Sequence, residues 1–199
     1  MSAQRPVRAR RDRWADWAVI GTLVLALLLG WAVMAFAEGQ TSVYTDAESG
    51  VVLRYPKDWF LKADEDLIFQ ALDPDSGAFK TTYQLRLWPV AATDSPTGTL
   101  AAALNDASLA RAQEGIAYRL FDIVPGEDKD GQPTMEATYV YVVDSVDLFA
   151  QHMPDVVLGL DVAVGADEGV YVFSLLAEKG AFDEAEKQFR KFVQSAEIR

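Results

Sequence analysis

The chain of 199 residues contains no cysteine and one histidine, His152. The absence of cysteine excludes disulfides, thiolate metal sites, a cysteine nucleophile and a lipid-modified N-terminal cysteine. One histidine excludes multi-histidine zinc sites and leaves any histidine-based triad a single candidate base. There is no Gly-x-Ser-x-Gly elbow, no phosphate-binding loop and no dinucleotide fingerprint, so the commonest hydrolase, nucleotidase and dehydrogenase signatures are missing. Neither an internal repeat nor a low-complexity tract is present.

Basic residues are scarce after the first seventeen. Up to Trp17 there are five arginines against Asp12 and Asp16, a balance of +3, whereas the whole chain carries −12. The remainder therefore carries −15, with 13 basic residues against 28 acidic ones. So acidic a body is a poor match for nucleic acid, whose phosphates need a basic surface, and no nucleic-acid partner is expected. It suits a domain held off anionic headgroups or one that meets a basic partner.

What is present is one long uncharged run, AVIGTLVLALLLGWAVMAFA, at residues 18–37. As a helix it spans about 30 Å, the thickness of a bilayer's hydrocarbon core. Trp14, Trp17 and Trp31 fall where amphipathic indoles favour the headgroup zone, and the arginine cluster is expected to stay in the cytoplasm. Residues 1–17 read as a basic cytoplasmic tail, 18–37 as a transmembrane signal anchor in the plasma membrane that contacts lipid, and everything after as extracytoplasmic. The alternative is a signal peptide cleaved after Ala37, since Ala35, Phe36 and Ala37 form a small-x-small site, but the apolar run exceeds the usual signal core of about 7 to 15 residues. Arg10 and Arg11 fit twin-arginine export poorly.

Residues 38–49 are small and polar and read as a linker. The domain is expected over 50–199. Val51–Tyr55 reads as a strand stopped by a turn at Pro56-Lys57-Asp58, after which Trp59 and Phe60 are expected in the core. A strand is expected over 68–72, and an alternating one over 79–90 with Tyr83, Leu85 and Leu87 on one face. Thr99 is the expected cap of a helix over 100–114 whose stripe is Leu100, Ala103, Leu104 and Ala107. Two hairpins follow, 118–124 with 134–144 and 156–164 with 170–177. A helix over 183–196 closes the chain, with Phe182, Ala185, Phe189, Phe192 and Val193 at helical spacing and Asp183 with Glu186 as a capping box. Strands joined by hairpins, with two amphipathic helices to cover a sheet, predict an α+β fold: an antiparallel sheet flanked by helices.

Three pieces in order, GVVLRYPKDWF, GQPTMEATYVYV and the final GVYVFSLLAEKGAFDEAEKQFRKFVQSAEI, resemble the PsbP-like family of the Mog1/PsbP α-β-α sandwich fold. The resemblance covers most of residues 42–199. It implies an extracytoplasmic accessory protein rather than an enzyme; the best-known members are extrinsic subunits at the lumenal face of a photosynthetic membrane complex. Some members are associated with metal binding through histidine and carboxylate, but with His152 alone no metal site is carried over, and no cofactor or catalytic residue is assigned.

The acidic clusters favour bland roles. Asp128, Asp130 and Gly131 have the mutual spacing of part of a calcium loop, yet Gly126 stands where its first ligand belongs and Ala137 where the bidentate glutamate belongs. They read as a solvated hairpin tip. Asp64, Glu65 and Asp66 read as a charged loop, Asp73 and Asp75 as turn residues, and His152 as a surface loop residue. The expected function is a non-catalytic, membrane-anchored binding or accessory module with a membrane protein partner; the alternatives are a hydrolase or small-ligand carrier with a carboxylate-lined pocket, and the same domain secreted.

Overall fold

Helix α1 runs from Ala9 to Glu38 without interruption, so its first turns lie inside the arginine cluster that was expected as a tail. The computed structural model describes residues 9–38, 40–89, 95–114, 116–143 and 154–198, with the side chains of α1 described from Trp17 to Trp31. His152 lies outside the described residues. All the side chains from Trp17 to Trp31 are exposed. Among the described residues no helix is long and apolar enough to cross a membrane; the helical backbone itself continues through all of 18–37.

The second unit of the chain spans Ser42–Arg199. The stretch expected as a linker carries a strand, β1 (Thr41–Thr45), which forms a two-stranded sheet with β2 (Val52–Pro56). The Tyr44 hydroxyl donates to the Ile68 carbonyl at 2.8 Å and so ties this polar segment to the body. Its Thr, Ser, Val and Tyr side chains suit a pleated, half-buried strand, which their polarity concealed.

The main sheet has seven strands in the order β3-β4-β5-β9-β8-β7-β6, all neighbours antiparallel. These are β3 (Phe60–Leu61), β4 (Phe69–Leu72), β5 (Thr82–Trp88), β6 (Ile116–Glu127), β7 (Pro133–Val143), β8 (Asp155–Ala166) and β9 (Gly169–Glu178). The central β9 is buried on both faces, which explains its near-continuous apolar run, VYVFSLLA. Helix α2 (Pro96–Glu114) covers one face and helix α3 (Phe182–Ser195), with β1 and β2 beside it, covers the other.

Both helices bury the stripes read from the sequence. Leu100, Ala103 and Leu104 are buried against Met135, Ala137, Ala163 and Val172, and Ala107 is buried too; small residues let α2 lie close to the strands. Phe182, Phe189 and Phe192 are buried under α3, each removing an aromatic side chain from water for about 1.5 to 3 kcal/mol. The Phe192 ring lies 5.0 Å from Tyr83 and 5.6 Å from Phe69.

The helix starts differ from expectation. α2 begins one turn early: Pro96 sits at its start, where a missing N–H costs nothing, and Thr99 lies inside, its amide donating to the Ser95 carbonyl at 3.1 Å. α3 begins at Phe182 with Ala181 as its cap and no side-chain cap bond. The capping box of Asp183 and Glu186 is therefore absent; Glu186 instead accepts from the Arg190 guanidinium. Of the two corner aromatics, Trp59 packs 4.4 Å from Tyr83, while Phe60 is 66 % exposed on a two-residue edge strand. The corner is thus structural in Trp59 only.

Candidate functional site: a groove beside the third helix

Hairpin β6–β7, hairpin β8–β9 and the C-terminal half of α3 enclose a groove of about 630 Å³. Its floor follows from strand alternation. Val162 and Val164 of β8 and Tyr171 and Phe173 of β9 all point to the α3 face, and Val193 and Ile198 come in from the side. The segment after α3 is held in place by β2: the Val52 amide donates to the Glu197 carbonyl at 2.9 Å and the Glu197 amide to the Val52 carbonyl at 3.0 Å.

The rim is polar and mostly acidic. Glu127, Asp128 and Asp130 come from the β6–β7 tip, Asp167 and Glu168 from the two-residue β8–β9 turn, and Glu136 and Glu197 from β7 and the tail. Among the described lining residues only Lys129 and Arg190 oppose them, and both are engaged. Lys129 Nζ donates to the Gln194 carbonyl at 3.0 Å, which ties the hairpin tip to α3. Arg190 grips Glu136 through two hydrogen bonds, of 2.7 and 2.9 Å, and also reaches Glu186. Those bonds, Glu136 first, raise the Arg190 pKa against the opposing effect of burial. Tyr171 in the floor has its phenol raised by burial and then by the charges of Glu168 and Asp46.

The tip read from the sequence as part of a calcium loop is a hairpin turn. Asp128 Oδ1 accepts from the Asp130 and Gln132 amides at 2.8 and 2.7 Å, and Gly131 takes a φ of +74°, which a side chain would oppose. Asp64 and Asp73 likewise accept from the amides two residues on. Asp64 and Asp66 also border a smaller hollow of about 230 Å³ on the α2 face, opposite Arg86 and Arg111.

Below that hollow lies an arrangement the sequence reading missed. Arg111 Nη2 donates to Asp161 Oδ1 at 2.9 Å and to Ser174 Oγ at 2.7 Å, Tyr139 Oη donates to the same Asp161 oxygen at 3.0 Å, and the guanidinium lies 4.9 Å over the Tyr139 ring. Burial disfavours the Arg111 cation, yet Asp161, followed by the surrounding tyrosines, holds its pKa above the ordinary value. The signal was available: Arg111 continues the α2 stripe four residues after Ala107, and Asp161 occupies an inward position of an apolar strand, where a carboxylate demands a partner.

Among the described residues lining the large groove there is neither serine nor histidine, so no serine–histidine pair is assembled there. Fold and groove together define an α-β-α sandwich with an open, acid-rimmed concavity on its α3 face.

No family model matches the chain, and no curated protein matches it in sequence. Solved structures do. The solution structure of the cyanobacterial PsbP protein CyanoP from Synechocystis sp. PCC 6803 aligns over 80 % of this chain and 92 % of its own, with a TM-score of 0.58 at 15 % identity. The Saccharomyces cerevisiae Ran-binding protein Mog1p aligns over 80 % and 95 %, with a TM-score of 0.51 at 9 % identity. At such identities the likeness is one of fold, and that fold is the PsbP/Mog1-like sandwich that the sequence pieces resemble.

Proposed function

We propose that this chain is a single-pass protein of the plasma membrane, its N-terminus cytoplasmic, that presents a non-catalytic binding or accessory module for a larger membrane protein complex outside. The observation that carries the binding role is the groove of about 630 Å³ with an apolar floor and a polar rim, the form of a recognition surface. A fold neighbour that is a Ran-binding protein agrees with such a role. The anchor is supported by α1: its 30 helical residues contain the uncharged run 18–37, and a helix apolar on every side is at home in lipid. The five arginines before it favour a cytoplasmic N-terminus.

Fractionation of cells expressing the full chain tests the anchor and its orientation. The account expects the intact chain, Met1 region included, in carbonate-washed membranes, with the C-terminal domain cut by protease added from outside. A soluble chain beginning at Glu38 would replace the anchored reading with the secreted one. The cavity and its seven carboxylates also keep a second reading in play, a carrier of a small cationic ligand; that reading predicts saturable binding by the chain alone and no protein companion.

A further inference from the structure

We infer that the α3-face groove is the docking site for a cationic, apolar-interleaved peptide segment of the protein partner. The inference rests on the binding-module reading above and specifies what the module recognises.

Charge and apolarity coincide in this one concavity. Glu127, Asp130, Asp167, Glu168 and Glu197 are all exposed on its rim, and among the described residues no cation lies within ion-pair distance of any of them. The two local cations are committed elsewhere, Arg190 to Glu136 and Glu186 and Lys129 to a carbonyl of α3. The rim is thus an uncompensated anionic collar in a domain that is itself strongly acidic. Between its sides the half-buried Val164, Val193 and Ile198 offer apolar surface, while Val162, Tyr171 and Phe173 line the groove as buried residues. Another copy of this acidic domain is repelled, and so is an anionic lipid surface. A purely polar cation leaves the floor wet, and a purely apolar segment leaves the collar unmatched. A segment that alternates Lys or Arg with aliphatic residues satisfies both, its long basic stems lying along the apolar walls while the charged heads reach the rim.

The test uses the full chain in detergent micelles and a fluorescent synthetic peptide of about ten residues alternating lysine and leucine, with a twin in which glutamine replaces every lysine. Binding is read by anisotropy at physiological salt, with empty micelles subtracted. The lysine probe is expected to bind saturably and the glutamine twin at least about tenfold more weakly. Reversing Asp130→Lys with Glu168→Lys should weaken the lysine probe by about tenfold or more. The matched pair Asp75→Lys with Asp106→Lys, exposed and outside the groove lining, should leave it within about twofold, since salt screens exposed charges that do not touch the ligand. Ile198→Ser should cost several-fold through the floor.

Equal losses from the rim pair and the remote pair, equal binding of the glutamine twin, or indifference to Ile198→Ser would each overturn the inference. The two readings fail separately. A chain that ignores the probe but co-purifies with membrane subunits loses the groove assignment and keeps the accessory role; a chain that binds the probe but never has a companion does the reverse.

Discussion

Arg190 of α3 and Glu136 of β7, 54 residues apart, meet in a fork of two hydrogen bonds at 2.7 and 2.9 Å along the side of the groove. The bidentate geometry fixes the last turns of α3 over β7, but the arginine side chain is 43 % exposed, so water screens the pair. Arg190→Gln should therefore lower stability by no more than about 1 kcal/mol. The same change removes a cation from the groove lining, so affinity for a lysine-rich probe should rise a few-fold. A fall in that affinity with stability intact would mean that Arg190 contacts the ligand itself.

The pair on the other face is of a different kind. Asp161 is 2 % exposed and shares one oxygen between Arg111 and Tyr139. Arg111→Leu leaves that carboxylate buried and uncompensated and should cost about 3 kcal/mol or more, whereas joining it to Asp161→Leu should restore part of the loss. Denaturant midpoints of the two single variants and the double variant decide it. Additive losses would show that the two residues are not coupled.

Gly159 is set by a close approach rather than by a turn. A Cβ there would run into the Tyr139 ring, which is fully buried and cannot swing aside. Gly159→Ala should cost ~3 kcal/mol through overpacking. A thermal melt that is unchanged would mean that the ring is free to move.

Alkaline pH should unfold the domain through its tyrosines. Burial, the leading cause in each, raises the phenols of Tyr83, Tyr118 and Tyr139 above the ordinary 10.0, for Tyr139 well above. A raised folded value means that the fold favours the neutral form. That contribution is whole below pH 10 and is lost as pH climbs through the folded values. Phenolate absorbance should show these groups ionising together with loss of the fold; independent ionisation of the group near pH 10 in a folded domain would contradict this burial.

The sheet and both helix stripes were legible because alternation in residues 156–164 and the three-to-four spacing of Phe182, Ala185, Phe189 and Phe192 are local signals. Helix starts were not: nothing in Thr99 or Asp183 betrays that Pro96 and Phe182 come first. Strand β1 was hidden because three of the four residues beside Tyr44, namely Thr41, Ser42 and Thr45, are polar, and the strand gains its pairing from β2 and its anchorage from the distant Ile68 carbonyl. The groove was legible only in part. The carboxylates of the 126–133 tip stood out as a cluster, but their meeting with Glu168, Glu197 and Arg190 is a product of topology, which brings two hairpins and a helix end together. His152 gives no structural statement, since it lies outside the described residues.

The most direct measurement is gentle detergent extraction of membranes holding the full chain tagged after Arg199, in native and Asp130→Lys/Glu168→Lys forms, with mass spectrometry of the intact chain and of whatever accompanies it. The account predicts an uncleaved chain with at least one stoichiometric membrane subunit, and loss of that companion from the reversed form while the chain stays in the membrane. A native chain that is recovered intact, folded and alone would contradict the accessory role.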